Sequence, residues 1–458
     1  MNEFPKSIVK EEYIFALLAL LFGVLFLFLT PPFSSDNEYE YFVVTYAESE
    51  FSEVLDSDVN NKGFFIPQSI KYIYDHIATA KSSNNGKVPN EIIDDFAKLK
   101  LHPDNKVFYN YSGKDIRLLN HLPAVFGIWI GKIINPNPIY LVWLSRISQL
   151  LVYIIIIFFA IKITPLFKKS FLLISLFPAV VFNSVVVNTY ILGISLAILF
   201  ISIIFKITFD KENSSVFWLV ALLIIALILR FSSDIYIILL LIPVVIPTVK
   251  LNHFKVKIVM IAAVLLVIFL PMLISGDFLL KDFLILKSFQ NGFIIDGDLN
   301  LAYHSGDLFN SFKLVIQNIV NQGGIWMKSA VAGILDSNLG LPEILVFVTL
   351  IIVFASALFD RKIQIQISVK FKLTSVVVFL TSILFITTYF LIFASPVGSN
   401  RVENMISVLF VPLLLIMLTL LNNDNYQNDI FDKYGSIIIG VWALILLVYF
   451  AQNIATTL

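Results

Sequence analysis

The sequence predicts an all-α polytopic integral membrane protein, and three observations carry that reading. Of its 458 residues, 58% are hydrophobic and only 14% are charged, where ordinary soluble domains run to about 45–50% and about 25%. The mean hydropathy is +0.87. The apolar residues are gathered into runs long enough for bilayer-crossing helices, each of which needs roughly 20 residues. A formal net charge of zero argues against a nucleic-acid partner, and the absence of cysteine removes disulfide, thiolate and Cys-metal chemistry.

The runs fall near 13–30, 139–163, 170–187, 190–207, 216–232, 234–249, 256–274, 341–358, 373–393, 405–421 and 435–455. They predict a single membrane domain over 1–458 with about 11 crossings (roughly 10–13). The piece 122–134, between Pro123 and the Asn-Pro-Asn-Pro run at 135–138, is too short to cross and predicts a re-entrant helix within a bundle over 121–274. Glu11 and Glu12 flank the first run and no small-residue cleavage site follows it, so it is expected to be a retained span. Lys6 and Lys10, Lys168 and Lys169, Lys206 and Lys211, Lys250, Lys255 and Lys257, and the basic residues at 361–372 fall on alternate links. That alternation places the N-terminus in the cytoplasm. Two long segments, 31–120 and 275–340, then face outward, ahead of C-terminal spans over 341–458. In the first, Ile66, Ile70, Ile73, Tyr74 and Ile77 have helical spacing and predict an amphipathic helix.

Chemistry is expected where the first run ends. Ser35-Asp36-Asn37-Glu38 follows Pro31-Pro32-Phe33 and fits the Ser-x-x-Glu capping box. One of Asp36 and Glu38 can start the helix while the other accepts a proton from a hydroxyl or helps hold a divalent metal. Arginine at membrane depth must be paired, and its fork suits a phosphate. Arg146 lies inside an apolar run, Arg230 at the end of one beside Asp234, and Arg401 in the link Ser395–Glu403. The structural readings are an ion pair inside the bundle for Arg146, an Asp234 partner for Arg230 and a solvated loop charge for Arg401. The functional reading is a site for an anionic lipid. His121 opens the re-entrant piece; His304, Asp296 and Asp298 lie in the second long segment, where solvated roles are the simpler reading. No P-loop, G-x-S-x-G or dinucleotide fingerprint is present.

Several blocks resemble the bacterial membrane proteins grouped as domain of unknown function 2142, which are related to the glycosyltransferase-C (GT-C) superfamily. Pro31-Pro32-Phe33 and Glu38 match that family's opening in register, with Asn37 in place of an Asp and Tyr41 in place of a His. Leu122-Pro123 with the later Arg146, the basic Arg230, Gly333-Ile334-Leu335-Asp336 with Leu341-Pro342, and Arg401 with Pro412 echo further blocks. The resemblance implies transfer of a sugar from a polyprenyl-phosphate donor to a surface glycan at the outer face of the bacterial plasma membrane. Asp36 or Glu38 would be the base. Arg230 and Arg401 would bind the lipid phosphate, with Arg146 and His121 also assigned to the donor. The partners expected are the lipid-linked donor, the glycan acceptor and membrane lipids, with no required cofactor beyond an optional divalent metal. A polysaccharide polymerase or ligase and a lipid-linked glycan transporter are the alternatives.

Overall fold

A computed structural model describes residues 9–35, 38–51, 55–58, 61–83, 90–96, 98–110, 118–210, 216–232, 236, 239–240, 242–243, 261–267, 317, 324, 327–332, 340–359, 367, 369–393, 409–421 and 429–457. The helices in chain order are α1 (Glu11–Leu29), α2 (Glu38–Ser49), α3 (Gln68–Ser83), α4 (Asn90–Phe96) and α5 (Leu118–Ile134). Then come α6 (Pro138–Ile163), α7 (Lys168–Ser175), α8 (Pro178–Asn183), α9 (Ile191–Phe209) and α10 (Val216–Ser232). After an interval that is mostly outside the described residues follow α11 (Glu343–Leu358), α12 (Val369–Phe393), α13 (Leu409–Leu421) and α14 (Asp429–Thr457).

Among the described residues four helices are long and apolar enough to cross a membrane: α1, α6, α9 and most of α14. Phe15, Ala19, Phe22 and Phe26 bury one side of α1, while Tyr13, Leu17, Leu21 and Phe28 stay exposed on the other. An exposed apolar face of this kind belongs in lipid. By contrast α9 is buried on nearly every side and forms the centre of the bundle, packed by α6 and α10. Asn137 caps α6, its side chain accepting from the Ile139 amide at 2.8 Å, and Pro138 supplies the first helical residue.

Gly127 decides how closely α5 lies on α6. A Cβ there would sit 2.4 Å from the Leu144 carbonyl oxygen and 2.6 Å from the Ser145 Cα. With Gly131 one turn on, it makes the small-xxx-small face that lets two membrane helices touch backbone to backbone.

Two expectations change here. The run 170–187 is not one helix: α7 stops at Ser175, α8 covers Pro178–Asn183, and 184–190 is non-helical although 184–188 are buried. Pro178 has no amide to donate and forces Phe177 out of the helical region (φ −55, ψ 130). The segment 31–120 is also not purely helical. It holds an antiparallel sheet of β1 (Leu55–Asp58), β2 (Asn61–Pro67) and β3 (Lys106–Asn110), in that order. Period-two patterning explains it: Phe64 and Ile66 point inward and Phe65 outward, where it meets Phe108 across the register. The amphipathic helix is present as α3, which buries Ile70, Ile73 and Ile77. With Ile66, Phe33, Phe42, Ala124, Ile128 and Leu141 they form a second core, separate from that of the bundle.

The starts of α1, α7 and α14 share one end of the bundle. Ser436 donates to Glu11 at 2.8 Å and Lys169 donates to the Phe431 carbonyl at 3.0 Å. At the opposite end the chain leaves α1 and enters the 31–120 segment.

Candidate functional site

The chain turns sharply after α1. Ser34 donates its amide to the Pro31 carbonyl at 3.2 Å, and Phe33 takes a left-handed conformation (φ 65) that is rare for an aromatic residue. Its ring sits against Tyr39 and Phe42, at 5.5 and 5.6 Å. The expected capping box does not form. Instead of reaching back to Ser35, the Glu38 carboxylate reaches the Phe33 amide at 2.9 Å.

Glu38 and Arg146 are both fully buried and form a two-pronged ion pair. Arg146 donates through Nε to Oε1 and through Nη2 to Oε2, each at 2.6 Å. Its remaining reach goes to backbone carbonyls, Nη1 to Thr30 at 2.7 Å and Nη2 to Pro31 at 3.0 Å. The carboxylate takes a further donor at each oxygen, Phe33 N on Oε2 and Val187 N on Oε1, the latter at 3.1 Å. One pair therefore joins the end of α1, the start of α2, the middle of α6 and the non-helical stretch after α8. It answers the physical demand of a buried charge, which is tolerable only when paired and hydrogen-bonded throughout.

The stretch 184–190 is held by amides that sequence reading passed over. Asn188 donates to the Asn183 and Val186 carbonyls at 2.6 and 2.7 Å. Its Oδ1 accepts from the Tyr190 and Ile191 amides at 2.8 and 3.1 Å, which caps α9. Gln149 of α6 donates to the Asn188 carbonyl at 2.8 Å. Polar residues interrupting an apolar run (Asn183, Asn188, Gln149) were the available signal.

Next to this hub lies a polar seam. The Tyr41 and Tyr190 hydroxyls meet at 3.1 Å, and the Tyr41 ring lies 6.4 Å from that of His121. Thr45 gives its hydroxyl proton to the Tyr41 carbonyl at 2.7 Å, so at the 2.8 Å contact with His121 Nδ1 the imidazole is the donor. Asn120 donates to the Ser232 carbonyl at 2.8 Å, tying the start of α5 to the end of α10. The Asn120 Oδ1 and the Ser232 Oγ are enclosed without a hydrogen-bond partner. At the far end of α2, Trp129 donates to the Ser49 carbonyl at 2.9 Å and Lys132 to the Ser49 hydroxyl at 2.9 Å and to Glu50. Burial, with Glu50 alongside, pushes the Tyr46 hydroxyl above its ordinary range.

Of the residues singled out by sequence, Glu38 and Arg146 are brought into direct contact. His121 is buried in the seam, and Arg230 is buried on α10 two residues before Ser232. Asp36, Arg401, His304, Asp296 and Asp298 lie outside the described residues. Among the described residues no three His, Asp or Glu side chains gather as a metal centre.

A family model described as predicted membrane protein (DUF2142) matches residues 20–417. The chain belongs to that family of membrane proteins. Its stated property, a membrane location, agrees with the apolar helices above, and the match spans both the hub and the seam. No curated protein and no solved structure matches the chain.

Proposed function

We propose that the protein is a GT-C-like glycosyltransferase of the bacterial plasma membrane, with about 11 crossings and a cytoplasmic N-terminus. It would move a sugar from a polyprenyl-phosphate donor to a cell-surface polysaccharide on the extracytoplasmic face. The observation that carries this reading is the junction itself. A rigid ion pair and a polar seam sit where the apolar bundle meets the 31–120 segment. A lipid-linked sugar has the same division, an apolar chain joined to a hydroxylated head.

Both Glu38 carboxylate oxygens already face donors, which supports a positioning role for Glu38 with Arg146 and leaves Asp36 as the proposed base. Asp36 takes the proton of the acceptor hydroxyl as its oxygen bonds to the anomeric carbon. The bond from that carbon to the phosphate oxygen breaks, and polyprenyl phosphate leaves with the electron pair. Arg230 and Arg401 would meet the phosphate charge.

Asp36→Asn is expected to abolish glycan modification in cells while the protein stays in the membrane at its normal amount. Full modification in that variant would remove Asp36 as the base. A polymerase or ligase would be recognised by single repeat units in the mutant glycan, whereas a side-branch transferase leaves full-length, undecorated chains. The interrupted α7–α8 is a feature that transporters also use. Counterflow of a labelled lipid-linked sugar in proteoliposomes, with no transfer product, would favour that second reading.

A further inference from the structure

Glu48 lies on the last turn of α2 and is 8% exposed, and neither of its carboxylate oxygens has a hydrogen-bond partner. It shares a face with Tyr41 and Thr45, at i, i+4 and i+7 along the helix. The groups around it are engaged elsewhere. On α5, His121 bonds Thr45, while Lys132 bonds Ser49 and Glu50 and lies over the Tyr46 ring at 4.6 Å. On its own helix, Tyr46 and Glu50 face Lys132 and Glu38 faces Arg146. α6 meets α2 through Arg146, Tyr190 meets Tyr41, α3 accepts the Tyr39 hydroxyl at the Ile70 carbonyl, and β2 packs against α2 with one titratable residue, Lys62, whose side chain is outside the described set.

A carboxylate enclosed without a donor is costly, whereas the protonated acid is tolerated. We infer that Glu48 is a proton-operated latch: protonated, it lets α2 lie on α5 with the Thr45–His121 contact made, and ionised, it drives α2 away and opens the seam. The proton leaves to water and no other group changes charge. The inference concerns the docking of a helix and does not rest on the proposed transfer reaction.

Burial pushes the Glu48 carboxyl from 4.5 up to about 8 in the docked form. The sign follows from proton linkage. The docked form holds its proton up to about pH 8 and the undocked form only to about pH 4.5. Opening therefore becomes about tenfold easier per pH unit between those limits, and levels off outside them.

The chain has no cysteine, so a single one can report this motion. Ala47→Cys on α2 (2% exposed) reads undocking, and Phe51→Cys (75% exposed) calibrates the thiol's own pH dependence. In the full-length protein in lipid nanodiscs, the ratio of their maleimide rates is expected to rise at least tenfold from pH 6 to pH 8. In the Glu48→Gln and Glu48→Leu backgrounds it is expected to stay flat, near the low-pH value. Amide exchange of 41–49 in the cysteine-free chain, read as a protection factor, repeats the comparison with no reporter residue. A flat ratio with Glu48 present, or the same rise in the Gln and Leu variants, would overturn the latch.

Discussion

Arg146 is the residue on which the junction depends. Its guanidinium satisfies one carboxylate and two backbone carbonyls, a set that a lysine's single ammonium cannot reproduce. Removing it leaves Glu38 buried and unpaired, and breaking such a pair from one side costs about 3–5 kcal/mol. Arg146→Ala is therefore expected to lower the thermal midpoint in nanodiscs sharply, with Arg146→Lys intermediate. Glu38→Gln in the Arg146→Ala background should restore part of the loss, because the uncompensated charge is gone. Additive losses in that double-mutant cycle would mean that the two side chains act separately.

Among the elements, α5 and the broken pair α7–α8 define the site. The Gly127–Leu144 approach leaves no room for a side chain, since the atoms in the way are backbone. Gly127→Leu should push α5 from α6 and carry His121 and Asn120 with it. Overpacking of that kind costs typically about 1–3 kcal/mol, read as a lower melting temperature. An unchanged midpoint would show that α5 can shift without loss. The non-helical stretch between α8 and α9 exposes backbone groups that lipid could not satisfy. Asn188 and Gln149 bond several of them, and Glu38 takes the Val187 amide. Asn188→Leu would leave the Tyr190 and Ile191 amides unbonded and should destabilise the start of α9, visible as lost amide protection there.

For the molecule as a whole, two ends are set apart by which helix starts they gather. Glu11, Lys169, Phe431 and Ser436 meet at one end; Thr30, Glu38, Val187 and Tyr190 meet at the other. The proposed orientation puts the second end outside. An impermeant maleimide on intact cells is then expected to label Phe51→Cys and to leave Lys433→Cys, beside the first end, unlabelled until the membrane is opened. Labelling of Lys433→Cys alone would invert the topology.

Composition and run length were sufficient for a membrane bundle, and the positions of α1, α6, α9, α10 and α14 were legible from them, because a bilayer demands long apolar helices whatever surrounds them. The amphipathic α3 was legible from spacing for the same kind of reason. The sheet around Phe64 and Ile66 was not, since a short period-two stretch competes with the helical spacing that begins at the same residue. Glu38 stood out by sequence as a carboxylate at a membrane exit, and Arg146 as a charge in an apolar run. That they are partners, 108 residues apart, was decided only by the tertiary structure. So was the burial of Glu48, which reads in sequence as one more acid in a polar segment. Local pattern reports what a residue costs in lipid or water, but which partner meets that cost depends on contacts between distant segments.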